Sequence, residues 1–273
     1  MSATITAADI NKLRQATGAG MLDCRKALTE SNGDFEAAID WLRKQGQKVA
    51  AKRSDREAKE GVILAKTSAD SKTGMIVCVS CETDFVSKNA EFVAFTQSIM
   101  DAAISNDVKS VDELNEVSVN GAKVSELIND KLAAIGEKIA IKFERVDADY
   151  VASYIHGANR MGVLVGLNKE ASEAGKDIAM QIAAMNPLAI DETSIAPETV
   201  AREREIAIEQ IKAEGKPAEM AEKIAVGKVN KFFKDNTLLA QAFVKDNGKS
   251  VADYLKSVNA DLKVTEFKRV ALG

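Results

Sequence analysis

Two cysteines, Cys78 and Cys81, stand three positions apart, a spacing that thiol-disulfide enzymes and zinc sites both use. In a redox protein such a pair lies at the turn between a strand and a helix. Here it falls inside a β-rich run, where residues three apart point to opposite faces of a sheet. No second pair of ligands accompanies it, as a structural zinc site requires. The pattern favours a packing role, and a thiol-redox enzyme that uses both cysteines is the alternative.

His156 is the single histidine of the chain, so any cysteine or serine nucleophile would have to share it. The sequence contains no Gly-x-Ser-x-Gly nucleophile elbow. It also lacks the Gly-x-x-x-x-Gly-Lys-Ser/Thr loop, and no Gly-x-Gly-x-x-Gly turn follows a predicted strand. This inventory predicts a protein without covalent chemistry, without a metal or cofactor, and without a nucleotide site of its own.

Asp84 and Phe85 form a different kind of candidate site, because they join a predicted strand to a predicted helix. The residues allow two interpretations of the aromatic ring. Phe85 could pack beneath the helix that follows, or it could be an exposed anchor with an acidic neighbour. Exposed aromatic anchors dominate the energetics of many protein interfaces.

The first 45 residues predict three short helices that form a small bundle with a thin core. Thr6 is suited to cap the first helix, which would bury Ile10 and Leu13. In residues 46–60 the composition changes, and lysines and arginines are diluted by acidic residues. We interpret this segment as a solvated, partly helical, basic linker rather than as an RNA-binding arm.

Residues 61–148 and 149–273 predict the two halves of an α+β core. The β-rich runs at 62–65 and 75–79 favour a hairpin, which a helix with an apolar face follows. A similar order recurs around residues 154–165, so we infer an internal duplication of a hairpin-plus-helix unit. The residues that correspond at a constant offset are Phe92 with Ile178, Thr96 with Ile182, Ile99 with Met185, and Phe85 with Ala171.

The second half of the core also contains a predicted antiparallel helical hairpin of coiled-coil type, at about residues 197–235. The two helices are separated by a break at residues 215–217, Gly-Lys-Pro. Phe232 and Phe233 could pack these helices against each other, or they could form a dimer seam. One more helix and one more strand are expected after residue 250.

The chain has 273 residues and a net charge of −4, so it lacks the basic excess of a dedicated nucleic-acid binder. Its first residues do not show the pattern of a secretory signal, and no apolar run approaches the roughly 20 residues that span a bilayer. Three cysteines are too few for a disulfide scaffold. We expect a cytoplasmic protein with no direct contact to nucleic acid or membrane.

Residues 13–28 and 32–43 closely resemble the N-terminal signature of the elongation factor Ts family. Residues 81–86 resemble its central Thr-Asp-Phe-Val motif. Further blocks that look like those of the family follow in the same order at residues 154–165, 215–224 and 241–244. The order and the spacing agree over essentially the whole chain.

The resemblance implies an N-terminal bundle similar to ubiquitin-associated domains, a duplicated core and an inserted helical hairpin. It also implies guanine nucleotide exchange on elongation factor Tu, in a one-to-one or two-to-two complex. The central motif would press between helices of the GTPase near its magnesium and phosphate site. The residues implied in partner contacts are Thr83, Asp84, Phe85 and Val86 in the motif, Leu13, Arg14, Met21 and Leu22 in the bundle, and His156 and Gly157 in the second core half.

The sequence departs from the family pattern at three places. The block at residues 154–165 contains one residue more than the family pattern, at Asn159-Arg160. Ala242 stands where the family commonly has proline. A C-terminal module of some members is expected to be missing or reduced after Gly273. The runner-up function is a binding adaptor, in which the bundle would bind ubiquitin-like or other helical partners and the core would be a scaffold.

Overall fold

A computed structural model gives the architecture of residues 5–52, 55–215 and 217–273, in which helices and antiparallel strands are mixed. The N-terminal helices are α1 (Ala7–Thr17), α2 (Met21–Glu30) and α3 (Phe35–Lys52). The next elements are β1 (Glu60–Thr67), β2 (Thr73–Cys81), α4 (Asp84–Ser87), α5 (Ala90–Ser105), α6 (Val111–Glu116), β3 (Ser118–Val119), β4 (Ala122–Lys123), α7 (Val124–Ile135) and β5 (Ala140–Asp147). The last are β6 (Tyr150–His156), β7 (Met161–Leu167), α8 (Ser172–Met185), α9 (Pro197–Ala213), α10 (Ala218–Asn236), β8 (Ala242–Phe243), β9 (Asp246–Ser250), α11 (Val251–Val258) and β10 (Val264–Ala271).

The N-terminal helices form a bundle around a small apolar core. Thr6 caps α1 as predicted, because its hydroxyl oxygen accepts a hydrogen bond from the Asp9 amide and the Asp9 carboxylate accepts one from the Thr6 amide. Gly18 ends α1 in the left-handed conformation, with φ of 70°. Ile10 and Leu13 are buried, as the helical spacing predicts.

Helix α3 extends beyond residue 45, where the sequence predicts the end of the bundle, and continues to Lys52. The first part of the predicted linker, residues 46–60, is therefore helical. Arg53 belongs to that predicted linker and lies outside the described residues.

The bundle rests on the first half of the core through α3 and α7. A Cβ atom placed on Gly46 would lie 2.6 Å from the Cβ of Ala133, so the two helices approach closely at a glycine. Arg43 lies 3.6 Å from the carboxylate of Asp130, and a half-open cavity of about 460 Å³ lies beside this contact. Burial raises the pKa of Asp130.

The first sheet has the order β1-β2-β5 and is antiparallel, with β2 in the centre. Side chains of β2 alternate between two cores, because adjacent residues of a strand point to opposite faces. Cys81 packs in the core that the sheet shares with α5 and α7, whereas Cys78 packs in the core between the two sheets. The predicted opposite orientation of the two cysteines is thus confirmed.

The second sheet has the order β10-β7-β6, and the predicted C-terminal strand β10 completes it. One of its faces packs on the first sheet through Leu164 and Val151, and its other face carries α8 and α11. Glycines permit the close approach of the sheets. A Cβ on Gly162 would lie 2.8 Å from the Ile63 side chain, and a Cβ on Gly74 would lie 2.6 Å from that of Val151.

Both halves of the core contain a hairpin and a helix, namely β1, β2 and α5 in the first unit and β6, β7 and α8 in the second. Two predicted pairs are buried in both units: Phe92 with Ile178, and Thr96 with Ile182. The third pair departs from this pattern, since Ile99 is buried and Met185 is 45% exposed. Helix α8 ends at Met185, and Asn186 follows in the left-handed conformation, so this side chain lies at the edge of the core.

Helices α9 and α10 form a helical hairpin. Pro197 begins α9, and Gly215 turns the chain with φ of 77°. Lys216, in the predicted break, lies outside the described residues. Phe232 and Phe233 are half-buried. The residues that join the two helices are Ala207, Ile211, Ala221 and Ala225.

Candidate functional site

The Thr-Asp-Phe-Val motif lies in the connection between β2 and α5, residues 82–89, which we call the motif turn. Its centre is the single helical turn α4, which Thr83 precedes in extended conformation. Asn89 then caps α5, because its side-chain oxygen accepts a hydrogen bond of 2.8 Å from the Glu91 amide. The motif turn is therefore anchored between the central strand of a sheet and a buried helix.

Phe85 is 86% exposed, although it is a large aromatic residue on a well-anchored turn. Its neighbour Val86 points the other way and packs partly against the core shared with α5. The structure thus shows the exposed alternative for Phe85 rather than packing beneath the helix. An isolated aromatic ring in this position is available to a partner.

Asp84 stands beside this ring and pairs with Lys88, whose Nζ donates a hydrogen bond of 2.7 Å to the Asp84 carboxylate. That hydrogen bond lowers the pKa of Asp84 below its ordinary value. The carboxylate is therefore ionised at neutral pH, and it stands in an ion pair with Lys88 next to an apolar ring.

Glu137, between α7 and β5, contacts the start of the motif turn. One oxygen of its carboxylate accepts hydrogen bonds from the amides of Glu82 and Thr83, each of 3.0 Å. The other oxygen accepts a hydrogen bond of 2.6 Å from the Thr83 hydroxyl. In return, the Glu82 carboxylate accepts a hydrogen bond of 2.7 Å from the Lys138 amide. The two segments therefore fix each other in place.

The turn of the second hairpin, between β6 and β7, carries His156 and Gly157. Gly157 and Asn159 have positive φ angles of 63° and 67°. His156 is exposed, and its Nδ1 is hydrogen-bonded to the Tyr154 hydroxyl at 2.9 Å. The carbonyl oxygen of Asn159 accepts a hydrogen bond of 2.8 Å from the Ile63 amide, which ties this turn to the first sheet.

A charged side chain connects this second turn with the start of β1. The Arg160 amide donates a hydrogen bond of 3.2 Å to the His156 carbonyl, and the Arg160 guanidinium pairs with Glu60 at the start of β1. Glu60, which accepts its hydrogen bonds, raises the pKa of Arg160, and the charge of Asp84 acts in the same direction. The charge of Asp84 in the motif turn thus acts on Arg160 in the second turn.

The bundle presents a second exposed region. Leu22 is 77% exposed and Met21 is 41% exposed at the start of α2, and Arg14 is exposed in the last turn of α1. The resemblance also implies a partner contact for Leu13, but its side chain is fully buried in the bundle core. Leu13 therefore supports these exposed residues from inside and offers no surface of its own.

Both cysteines of the central strand are buried thiols. Burial raises the pKa of Cys78 to about 11 and that of Cys81 to about 12. The Cys81 thiol donates a hydrogen bond of 3.3 Å to the Thr83 carbonyl. Thiols that stay protonated and lie on opposite faces of a strand are poorly suited to disulfide exchange.

Two structural features are absent from the described ranges. No group of three or more histidine, cysteine, aspartate or glutamate side chains is arranged to hold a metal ion. No helix in this part of the chain combines the length and the apolar character that crossing a membrane requires.

Known proteins that are similar to this chain indicate its family. The family model described as Elongation factor TS matches residues 82–273, which include the motif turn and the second hairpin turn. The chain is 48% identical over 275 residues to Elongation factor Ts of Christiangramia forsetii, covering 99% of this chain and 100% of that protein. The chain belongs to the elongation factor Ts family. The family assignment covers the bundle too, since this match extends over 99% of the chain.

Two further relatives carry the same name. Elongation factor Ts of Cytophaga hutchinsonii is 50% identical over 276 residues, which are 99% of each chain. Elongation factor Ts of Clostridium perfringens is 43% identical over 282 residues, which are 98% of this chain and 93% of that protein. The similarity to family members therefore extends from the bundle to the last strand.

Sequence reasoning missed three residues of the motif surroundings: Glu137, Glu60 and Arg160. Each reaches the motif turn or its neighbour through a contact between distant parts of the chain. For Glu137 the local signal is weak, since it only follows Gly136, which ends α7 in the left-handed conformation. Its position opposite Glu82 comes from the pairing of β2 with β5.

Proposed function

We propose that this chain is a guanine nucleotide exchange factor that binds GDP-bound elongation factor Tu and promotes GDP release during translation elongation. Membership of the elongation factor Ts family supports the partner and the activity. The observation that carries the proposal is the exposed ring of Phe85 beside the ionised Asp84, on a turn anchored in a packed core. Such a protein needs neither covalent chemistry nor a cofactor, and it would act in the cytoplasm.

The proposed mechanism acts on the magnesium and phosphate site of the partner. GTPases hold GDP through a magnesium ion and through main-chain amides that surround the phosphates. An aromatic side chain inserted between nearby helices would displace those groups and weaken their hold on GDP. Phe85 supplies the apolar volume for this insertion, and Asp84 supplies a carboxylate that can accept hydrogen bonds from displaced donors.

Additional contacts would orient the motif turn on the partner. Arg14, Met21 and Leu22 of the bundle would contact the GTPase domain, and His156 and Gly157 would contact another domain. Thr83 and Val86 would position the two central residues from within this protein, since Thr83 donates a hydrogen bond to Glu137 and Val86 packs partly against the core.

Exchange by this route obeys thermodynamic linkage. The factor shifts the partner only to the extent that it binds the nucleotide-free state more tightly than the GDP-bound state. The coupling is reciprocal, so GDP weakens binding of the factor by the same ratio. One molecule of factor can therefore serve many molecules of partner in succession.

Release of a fluorescent GDP analogue from elongation factor Tu tests the proposal. We expect this protein to accelerate release at substoichiometric concentration, with a rate that rises with the amount of factor. A matched reaction without factor supplies the intrinsic rate. Release that stays at the intrinsic rate with folded protein and a competent partner would contradict the proposed function.

A further inference from the structure

We propose that Glu137 is a positioning residue for nucleotide exchange, because its carboxylate fixes the start of the motif turn and thereby the direction of Phe85. The inference rests on the proposed function and adds to it a residue outside the central motif. The three hydrogen bonds that Glu137 accepts from Glu82 and Thr83 are called here the Glu137 contact.

The Glu137 contact uses both oxygens of one carboxylate. Two main-chain amides converge on Oε2 at 3.0 Å each, and the Thr83 hydroxyl donates to Oε1 at 2.6 Å. Hydrogen bonds to an ionised acceptor are stronger than those between neutral groups. They hold the amides of Glu82 and Thr83, which precede Asp84 and Phe85 in the chain, so they limit the rotation at the start of the motif turn that would redirect the exposed ring.

Glu137 is itself rigidly placed. Gly136 ends α7 with φ of 76°, and β5 begins at Ala140, which pairs with Ser80 of β2. The Lys138 amide donates a hydrogen bond of 2.7 Å to Glu82. The carboxylate is therefore attached to a helix end on one side and to the central sheet on the other, as an anchor for a surface turn must be.

The second unit of the core has a counterpart of the hydrogen bond between Lys138 and Glu82, but a different residue at the position of Glu137. Asn168 directly follows β7, as Glu82 follows β2, and its side-chain oxygen accepts a hydrogen bond of 2.8 Å from the Lys263 amide. This interaction corresponds to the one between Glu82 and Lys138. The residue before Lys263 is Leu262, which is buried in the core. The first unit, which carries the exposed ring of Phe85, thus has a carboxylate at the position that a buried leucine takes in the second unit.

Loss of the Glu137 contact should reduce exchange while the fold persists. Without the carboxylate, the motif turn would sample other arrangements, and the competent orientation of Phe85 would be a smaller fraction of the population. For Glu137→Ala we expect the accelerated rate of GDP release to fall by about tenfold. Glu137→Gln should restore most of it, because the amide oxygen still accepts hydrogen bonds from the turn.

Two measurements distinguish positioning from general damage. Hydrogen exchange at the amides of Glu82 and Thr83 should be faster in Glu137→Ala and close to wild type in Glu137→Gln. In a Phe85→Ala background, Glu137→Ala should reduce exchange activity no further, because the side chain that it orients is gone. Asn168→Ala is the control, since it removes the second unit's counterpart of the bond between Lys138 and Glu82, away from the motif turn, and should leave GDP release unchanged.

Several results would overturn the inference. Wild-type GDP release by Glu137→Ala would do so, as would an equal loss in Asn168→Ala or full additivity with Phe85→Ala. Should the unmodified protein fail to accelerate release, the proposed function fails and the role of Glu137 in exchange fails with it. An active wild type with an unaffected Glu137→Ala variant rejects the positioning role alone.

Discussion

The two connections from a central strand to its helix differ in length and in what they expose. In the second unit, residues 168–171 lead directly from β7 to α8, and Ala171 packs partly against the core. In the first unit, residues 82–89 include the extra helical turn α4, and Phe85 projects into solvent. The shared plan serves packing in both units, and the extra turn of the first unit creates a surface that packing does not require.

Polar side chains show the same division between the units. In the second unit, Asp177 on α8 is buried and accepts hydrogen bonds from Lys245 at 2.6 Å and from the Tyr254 hydroxyl at 2.8 Å. The corresponding residue on α5 is Glu91, which is exposed. The second unit uses this charge to connect α8 with the C-terminal segments, whereas in the first unit the Glu137 carboxylate contacts the motif turn.

Asp177→Ala tests this division with the largest expected effect on stability. We expect a loss of about 1–3 kcal/mol in the free energy of unfolding, because the Tyr254 hydroxyl and Lys245 lose their shared acceptor. Exchange activity at a temperature where the variant is folded should remain. Chemical denaturation measures the loss, and Glu91→Ala is the control, with an expected change within about 0.5 kcal/mol. Equal losses in both variants would contradict the division.

Leu22→Ala tests the proposed partner contact of the N-terminal bundle, which lies outside the two strand-to-helix connections. Its side chain is 77% exposed, so stability should hardly change, whereas the proposed contact with the GTPase domain would be weakened. We expect GDP release to slow by about threefold at low factor concentration, as for a contact outside the centre of an interface. Leu188→Ala is the matched control, because that leucine is 59% exposed elsewhere on the surface. Equal rates for the two variants would remove the bundle from the proposed interface.

The Asp84 carboxyl provides the test with the smallest expected effect, which is confined to the motif turn. The hydrogen bond from Lys88 lowers its pKa, so their pairing is present above the ordinary pKa of 3.8 and is lost as pH falls through the lowered value. GDP release should therefore show no dependence on this group between about pH 6 and pH 8. In a carboxyl-detected NMR titration, Lys88→Met should move the pKa of Asp84 upward toward 3.8. An unmoved midpoint would show that Lys88 does not lower the pKa of Asp84.

Much of the fold follows from local patterns in the sequence. The hairpin runs, the cap at Thr6 and the opposite faces of Cys78 and Cys81 depend on strand and helix periodicity, and all are present. The burial of Leu13 is also predicted by its helical spacing. That prediction already conflicts with a direct partner contact for the same side chain.

Other features depend on contacts between distant segments and could not be predicted. Glu137 meets Thr83 because β5 pairs with β2 in a particular register, which no local pattern specifies. Helix α3 approaches α7 closely at Gly46 and continues to Lys52, where composition indicated a partly helical linker. The exposure of Phe85 depends on the extra turn α4, so the residue types allowed a buried ring equally well.

The most direct test of the account compares GDP release from elongation factor Tu driven by the wild-type protein, Phe85→Ala and Leu188→Ala in parallel. We expect Phe85→Ala to lose acceleration by about tenfold or more, while Leu188→Ala keeps it. Both variants should retain the wild-type unfolding midpoint, because both side chains are largely exposed. Wild-type acceleration by Phe85→Ala would contradict the central claim that the exposed ring of the motif turn drives exchange.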